Sequence, residues 1–345
     1  MGCADSFLAG LAPARMVFDL DAFARLLARL GDPQAAVPAL HVAGTNGKGS
    51  VCAVAEAVLR AHGERTGLYT SPHLDHPRER IAVGGRPLSE AAFEAAVEGL
   101  ARRLAQVAPG LPYSYFDFLT ALAFTLFAEE GLSAAVVETG LGGRLDSTRL
   151  CHPRATCLTP IARDHTAVLG HDLAAIAREK AGILRPGVPC ACASQPPEAA
   201  AALAAAAREV GAPLLLFGED FAAEAGAAGL RYRPLRGPEL ELPLPLPGRH
   251  QVVNTACALA SCELFLDRPL EPEATRRALS SVHWPGRLER LGGVLLDGAH
   301  NRAGARALGE YLRTCPRPLW LVWGMLEHKD PEGFVAALGV APAEV

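Results

Sequence analysis

Lysine is scarce in this sequence. Only three of its 33 basic residues are lysines, Lys48, Lys180 and Lys329, and the others are arginines. Arginine therefore serves wherever any positive charge suffices, and a retained lysine becomes a candidate for chemistry that needs a primary amine. Retention by chance is the competing interpretation.

Other absences exclude whole classes of protein. No apolar run reaches the about 18 residues of a membrane span, and the N-terminus lacks the basic start and apolar core of a secretory signal. The nine cysteines form no CxxC pair, which indicates reduced thiols rather than disulfides or a zinc site. A net charge of −4 gives no reason to expect nucleic-acid or membrane partners. We therefore predict a cytoplasmic protein. We also predict a monomer, because the sequence shows no pattern typical of an oligomer interface.

The most informative stretch is Pro38–Gly63, which reads as a short apolar strand, a glycine-rich turn and a helix. The turn Gly44–Ser50 has the composition of a phosphate cradle, because glycines let backbone N–H groups close on an anion at a helix N-terminus. Lys48 would reach the terminal phosphates, and Ser50 lies where P-loops place a Mg²⁺ ligand. The segment therefore predicts ATP binding.

The spacing of this turn departs from the common P-loop. Gly44 precedes Gly47 by three positions, and Gly49 separates Lys48 from Ser50. A glycine-rich strand-to-helix turn that binds nothing is the competing interpretation. The strand before it and the helix after it favour the phosphate cradle.

Strand and helix patterns alternate along most of the chain, which predicts a parallel sheet with helices on both faces. Polar residues follow three predicted strands, namely Ser71, Glu138 and His165, and ligands bind at such strand ends. Together with the cradle they predict a Mg-ATP site, although histidine is an unusual Mg²⁺ ligand. From Leu230 the pattern becomes that of a proline-bounded β-hairpin.

A linker at Trp284–Arg287 precedes a last α/β portion. Its predicted elements are strands over 294–296 and 319–323 and helices over 303–312 and 331–338. The 58 residues from 288 to 345 suffice for about two strand–helix units. We expect this portion to be cut short.

Several motifs in order resemble the dihydrofolate synthase/folylpolyglutamate synthase family, a branch of the Mur ligases. They extend from about residue 19 to residue 330 and include residues 41–50, 69–74, 138–147, 164–166, 179–182, 250–254, 284–287 and 297–301. Two positions depart from the family pattern. Arg163 replaces an apolar residue, and Asp117 stands where glutamate is common.

The resemblance implies an α/β fold with two domains. Residues 1–287 would form a P-loop Mur-ligase-type central domain with a mainly parallel sheet and a small β-hairpin region. Residues 288–345 would form a Rossmann-like C-terminal ligase domain that is incomplete. The pterin site would belong to the first domain.

The resemblance also implies an ATP-dependent amide ligase. A carboxylate would attack the γ-phosphate of ATP, and the amine of L-glutamate would displace phosphate from the resulting acyl phosphate. The acceptors would be dihydropteroate and tetrahydrofolate. Two alternatives remain open: another Mur-type ligase of peptidoglycan synthesis, and a truncated nucleotide-binding protein without catalysis.

Site residues follow from matched positions. The resemblance implies ATP contacts at Gly47, Lys48, Gly49, Ser50, Asn254, Arg287 and Asp297. It implies two Mg²⁺ sites with ligands among Ser50, Ser71, Glu138, His165 and Lys180, the lysine being carbamylated. Catalytic roles would fall to Lys48, Glu138, His165, Lys180 and His300. The dihydropteroate pocket would be lined by Ser114, Tyr115, Phe116, Asp117, Leu145, Asp146 and Ser147.

Overall fold

The computed structural model describes residues 3–11, 19–164, 170, 172–226, 229–326 and 329–340. Its centre is a sheet of eight strands in the order β4-β3-β2-β5-β1-β6-β7-β8. The strands are β1 Pro38–Ala43, β2 Thr66–Tyr69, β3 Ile81–Val83, β4 Arg86–Pro87, β5 Ala134–Glu138, β6 His152–Leu158, β7 Cys190–Cys192 and β8 Leu214–Leu216. The six strands from β2 to β8 in that order are parallel, and β3 and β4 add an antiparallel edge. The predicted α/β fold with a mainly parallel sheet is confirmed.

Helices cover both faces of this sheet because its strands bury both sets of alternating side chains. On β5, Val136 belongs to the core beneath one helical layer, and Val137 belongs to the core beneath the other. The helices are α1 Cys3–Leu11, α2 Leu20–Arg29, α3 Lys48–Ala61, α4 Glu90–Val107, α5 Tyr115–Glu129, α6 Leu173–Ala181, α7 Pro197–Val210, α8 His250–Leu266 and α9 Pro272–Ser281. Helices α3 and α8 pack on the first face, and α2, α4 and α5 pack on the second.

A small second sheet lies where the sequence predicts a hairpin. It has three antiparallel strands, β9 Ala222–Gly226, β10 Gly229–Arg233 and β11 Leu240–Leu242. The predicted hairpin is confirmed by the antiparallel pair β10 and β11. The third strand, β9, was not predicted because its sequence AAEAG consists of residues of low β-propensity and shows no apolar alternation. Leu230, Tyr232 and Leu242 pack this sheet into the core that contains α8.

The C-terminal part forms its own small core. Helices α10 Arg302–Leu312 and α11 Pro331–Leu338 pack together around Phe334, and β12 Glu289–Leu291 pairs antiparallel with β13 Val294–Leu296. The strand predicted over 319–323 is wrong, since no regular ladder forms there. Trp320 is 67% exposed and Val322 100% exposed, so neither side chain is covered within the described part of the chain. The domain boundary at residue 287 stays a prediction.

The helix predicted over residues 15–31 is confirmed over Leu20–Arg29. Helix α2 begins after Asp19, whose carboxylate accepts a hydrogen bond from the Ala22 N–H at 2.8 Å. Residues 12–18 lie outside the described chain. Among the described helices, none combines the length and the apolarity that crossing a bilayer requires.

Glu263 is a buried acid in the core between α8 and the small sheet. It is 1% exposed; its Oε2 accepts the Leu235 N–H at 2.8 Å, while its Oε1 has no hydrogen-bond partner among the described residues. Burial raises its pKa from 4.5 to about 7. The folded state therefore holds the proton more tightly than the unfolded chain does.

We predict that the wild-type protein loses stability relative to Glu263→Gln as pH rises from 5 to 8. The contribution of Glu263 is present in full below its unfolded pKa and is lost as pH passes through the raised folded pKa, by about 3 kcal/mol at most. Urea unfolding of both proteins at the two pH values measures the difference. Glu224→Gln, an exposed change in the small sheet that packs on α8, is the control. An equal pH dependence in wild type and Glu263→Gln would contradict the prediction.

Candidate active site

The glycine-rich turn between β1 and α3 needs its glycines for two separate reasons. Gly44 and Gly47 have φ values of +150° and +88°, a region that favours glycine. A Cβ on Gly44 would lie 1.8 Å from Thr159 Oγ1, and a Cβ on Gly47 would lie 2.3 Å from Asn254 Oδ1. The turn thus packs directly against its neighbours, and α3 begins at once with Lys48. The N–H groups of Thr45 and Asn46 donate to the Pro160 carbonyl at 3.1 and 3.3 Å, so an anion would meet the N–H groups at the N-terminus of α3.

Lys48 and Glu138 face each other across this turn. The Lys48 Nζ donates to the Thr45 carbonyl at 3.2 Å and lies 3.9 Å from Glu138 Oε1. Burial raises the pKa of Glu138, and the charge of Lys48 opposes that rise. The Ser71 N–H donates to Glu138 Oε2 at 3.2 Å. The structure therefore brings Lys48, Ser71 and Glu138 together.

The Ser50 hydroxyl lies at the start of α3 and is held by α8. It accepts a hydrogen bond from Gln251 Nε2 at 3.3 Å, and Asn254 Nδ2 donates to Gln251 Oε1 at 2.9 Å. On the other side, a Cβ at Gly49 would lie 2.9 Å from the indole nitrogen of Trp284. Helix α8 and the 284–287 linker thus close two sides of the phosphate turn.

Lys180 lies beneath the turn. Its side chain comes from α6, is only 5% exposed, and donates from Nζ to the Gly44 carbonyl at 2.7 Å. Burial, assisted by the charge of Lys48, lowers the pKa of Lys180 from 10.5 to about 7. A large fraction of this amine is therefore neutral near pH 7, and a neutral amine is a nucleophile.

The segment 297–301 approaches the turn from the C-terminal part. Asp297 accepts the N–H groups of Leu288 at 3.0 Å and Ala299 at 2.9 Å, so its carboxylate shapes the loop. His300 Nε2 lies 3.1 Å from Asp164 Oδ2, and its Nδ1 lies 2.8 Å from the Gly298 carbonyl. Arg287 donates from a terminal guanidinium nitrogen to the Gly286 carbonyl at 2.9 Å. His165 lies outside the described residues.

These groups surround one cavity of about 330 Å³. It combines most of the predicted nucleotide and catalytic residues: Gly47, Lys48, Gly49, Ser50, Ser71, Glu138, Lys180, Asn254, Arg287, Asp297 and His300. Small residues of α10, including Ala303 and Gly304, form part of its wall. A phosphorylated ligand that entered here would contact both the sheet edge and the C-terminal part.

The donor set suits Mg²⁺ better than a softer metal. In the described part of the chain, no three His, Cys, Asp or Glu side chains converge. The predicted oxygen ligands that line the cavity are the Glu138 carboxylate and the hydroxyls of Ser50 and Ser71, and the carboxylates of Asp164 and Asp297 line it as well. Mg²⁺ is commonly bound by one or two carboxylates, with water and substrate phosphates completing its shell. The residues present therefore fit this ion.

The predicted pterin residues form a connected group next to the cavity. Ser114 caps α5, and its N–H and hydroxyl both donate to Asp117 Oδ2 at 2.8 Å. Asp117 Oδ1 accepts the Ser147 hydroxyl, and Asp146 Oδ2 accepts the Leu141 N–H at 2.7 Å. Asp117 therefore joins α5 to the 140–147 loop, whereas Asp146 accepts hydrogen bonds from within that loop and from Thr148 just after it. None of the seven predicted pterin residues lines the cavity itself.

The aromatic ring of Phe116 links that group to the cavity. A Cβ at Gly140 would lie 2.6 Å from the ring, and Gly140 and Leu141 both line the cavity. Tyr115 and Leu145 are half-buried. The structure brings the seven residues into one region, and whether they contact a pterin stays a prediction.

Three contributions to the site were not predicted. Gln251 holds Ser50, Trp284 packs against Gly49, and Lys329 forms an ion pair with Asp164. The first two lie within motifs that were recognised only as a whole. The scarcity of lysine singled out Lys329 in the sequence but did not indicate its partner.

A P-loop, an acidic strand end and a buried lysine around one cavity define an ATP-binding protein of the Mur-ligase type. No protein-family model matches the chain. The chain is 37% identical over 320 residues to folylpolyglutamate synthase of Lacticaseibacillus casei. That alignment covers 88% of this chain and 75% of the relative. It is 38% identical over 342 residues to dihydrofolate synthase/folylpolyglutamate synthase of Mycobacterium tuberculosis, covering 91% and 70% respectively.

The fold agrees with these relatives. A solved FPGS–AMPPCP–folate complex superimposes with a TM-score of 0.91 at 34% identity, over 99% of this chain and 87% of that one. The chain belongs to the dihydrofolate synthase/folylpolyglutamate synthase family. The resemblance drawn from the sequence motifs is confirmed.

We predict that Gly47→Ala weakens ADP binding by about tenfold or more, because the added methyl group meets Asn254 and distorts the turn. Gly63→Ala is the matched control. It carries a similar positive φ of +96°, yet its Cβ would meet nothing within 4 Å. Both variants bear about 1–2 kcal/mol of backbone strain, so only Gly47→Ala should change the Kd measured by titration calorimetry. Equal affinities in the two variants would contradict the prediction.

Proposed function

We propose that this protein joins L-glutamate to the carboxyl group of dihydropteroate, and of tetrahydrofolate, at the expense of ATP. The observation that carries the proposal is the single cavity that Lys48, Glu138, Lys180 and the 297–301 segment share. Membership of the family supports the same conclusion, and so does a relative named for both activities. We propose that the enzyme works as a cytoplasmic monomer, without nucleic-acid or membrane partners.

The first step requires transfer of a phosphoryl group. The acceptor carboxylate attacks the γ-phosphorus, the bond to the β-phosphate oxygen breaks, and ADP and an acyl phosphate result. In this proposal the N–H groups of residues 47–50, at the start of α3, hold the phosphates, and Lys48 neutralises the charge on the transferring group. Asn254, Arg287 and Asp297 hold the remainder of the nucleotide. Ser50, Ser71, Glu138, His165 and a carbamylated Lys180 would hold Mg²⁺, which supplies further charge neutralisation at the phosphates.

The second step forms the amide. The neutral amine of glutamate attacks the acyl carbon, the carbon–oxygen bond to phosphate breaks, and the nitrogen gives up a proton. His300 lines the cavity and its side chain is half-exposed, so we assign this residue to the second step. A cavity closed on several sides also keeps water from hydrolysing the acyl phosphate.

The acceptor would extend away from the phosphates toward Phe116. In this proposal Tyr115, Phe116 and Leu145 contact the pterin rings, and Ser114, Asp117, Asp146 and Ser147 shape the polar part of the pocket. The hydrogen bonds within this group support a preformed pocket.

We predict ADP release from MgATP when glutamate is supplied with dihydropteroate or tetrahydrofolate. When glutamate is omitted, ADP release should not continue beyond a first turnover, since the acyl phosphate then has no amine acceptor. A UDP-muramoyl peptide tests the peptidoglycan alternative. ADP release with that peptide alone would contradict the folate assignment, and nucleotide binding without ADP release would favour a non-catalytic protein.

For Lys180 we propose carbamylation, in which the neutral amine adds to the carbon of carbon dioxide and loses a proton. The product carries a carboxylate at a position buried beneath the phosphate turn. Arginine does not undergo this addition under ordinary conditions, which agrees with a lysine retained in an arginine-rich chain.

We therefore predict that Lys180→Ala and Lys180→Arg both lose activity, by about tenfold or more as for other metal-site residues. ¹³C-labelled bicarbonate should give a carbamate signal in the NMR spectrum of wild type and none in either variant. Circular dichroism checks that the variants fold. An active Lys180→Arg enzyme, or a wild-type protein without the signal, would contradict the carbamate.

A further inference from the structure

Lys329 is the lysine to which the proposed function gives no role. Its Nζ forms an ion pair with Asp164 Oδ1, and the two side chains are only 10% and 6% exposed. Lys329 comes from the segment that leads into α11, whereas Asp164 follows β6 at the edge of the central sheet. The pair therefore joins the C-terminal part to the sheet edge. Removal of Lys329 would take a buried cation away from Asp164, and loss of one partner from a buried pair is strongly unfavourable.

Asp164 connects this ion pair to the cavity. It lines the cavity, and its Oδ2 accepts a hydrogen bond from Asn301 Nδ2 at 3.0 Å and faces His300 Nε2 at 3.1 Å. Asn301 also exchanges hydrogen bonds with Asn46 of the phosphate turn, at 2.9 and 3.3 Å. A continuous network thus extends from Lys329 to the turn that would bind phosphate.

We infer that Lys329 is a positioning residue, which neutralises Asp164 and thereby holds His300 and Asn301 against the phosphate turn. The inference rests on the proposed function in one respect, namely that the cavity binds ATP. Without Lys329, Asp164 would present more negative charge beside the nucleotide phosphates, and like charges in a partly desolvated site repel strongly. Lys329 reduces that repulsion although it does not line the cavity.

A second ion pair provides a matched control. Arg302 Nε lies 2.6 Å from Asp330 Oδ2, so this pair also links the start of α10 to the segment before α11. Its side chains are 62% and 53% exposed, and exposed pairs contribute about 0–1 kcal/mol. Arg302→Gln therefore removes a neighbouring tether without leaving a buried charge.

The test compares Lys329→Met, Asp164→Asn, the double variant and Arg302→Gln. Titration calorimetry measures the Kd of AMPPCP and of ADP, and no acceptor substrate is needed. We expect Lys329→Met to weaken AMPPCP binding by about tenfold or more, and ADP binding by less, because the triphosphate brings one more anionic group to the phosphate end. The double variant should recover most of the AMPPCP affinity, since it removes both charges together. Arg302→Gln should resemble wild type.

Two results would overturn the inference: AMPPCP affinity within about twofold of wild type in Lys329→Met, or no recovery in the double variant. If thermal unfolding shows that Lys329→Met is not folded, the comparison moves to the other variants. The double variant should then bind AMPPCP within about threefold of Asp164→Asn, and a larger loss would count against the inference. A wild type that binds AMPPCP without forming the amide would contradict the proposed function and not this role of Lys329.

Discussion

The register of β1 with its two neighbours is the constraint on which the site depends. Val42 pairs with Glu138 of β5, and Ala43 pairs with Leu158 of β6. All three strands therefore end at one level, and the residues that follow them face the same space. A shift of one residue between β1 and β5 would reverse which face each side chain occupies and would move Glu138 away from Lys48.

Close packing then converts this sheet edge into an enclosed site. Helix α8 approaches the phosphate turn so closely that Gly47 has no room for a Cβ beside Asn254. The linker places Trp284 against Gly49, and Lys180 supports the turn from below through the Gly44 carbonyl. These contacts leave no space for larger residues. The glycines of the turn are therefore required by close packing and not only by backbone flexibility.

Buried charge is the other consequence of this enclosure. Glu138 and Lys180 are both shielded from water, and burial shifts the pKa of each toward its neutral form. The charge of Lys48 favours ionised Glu138 and disfavours protonated Lys180, so one residue acts in opposite directions on two neighbours. Such groups are useful in a site that binds ATP, because their ionisation depends on the charge that the bound nucleotide brings.

Local sequence determined the phosphate turn, most helices and the strands of the central sheet, because glycine spacing, apolar periodicity and capping residues act over a few positions. It did not determine β9, whose alanines pack only because β10 provides a partner. Over 319–323 the sequence predicted a strand, but the described part of the chain forms no regular ladder there. Only the tertiary structure decided that Lys329 reaches Asp164 and that Asp117 bonds to Ser147. Those pairs are separated by 165 and 30 positions in the chain, and no local pattern specifies contacts over such distances.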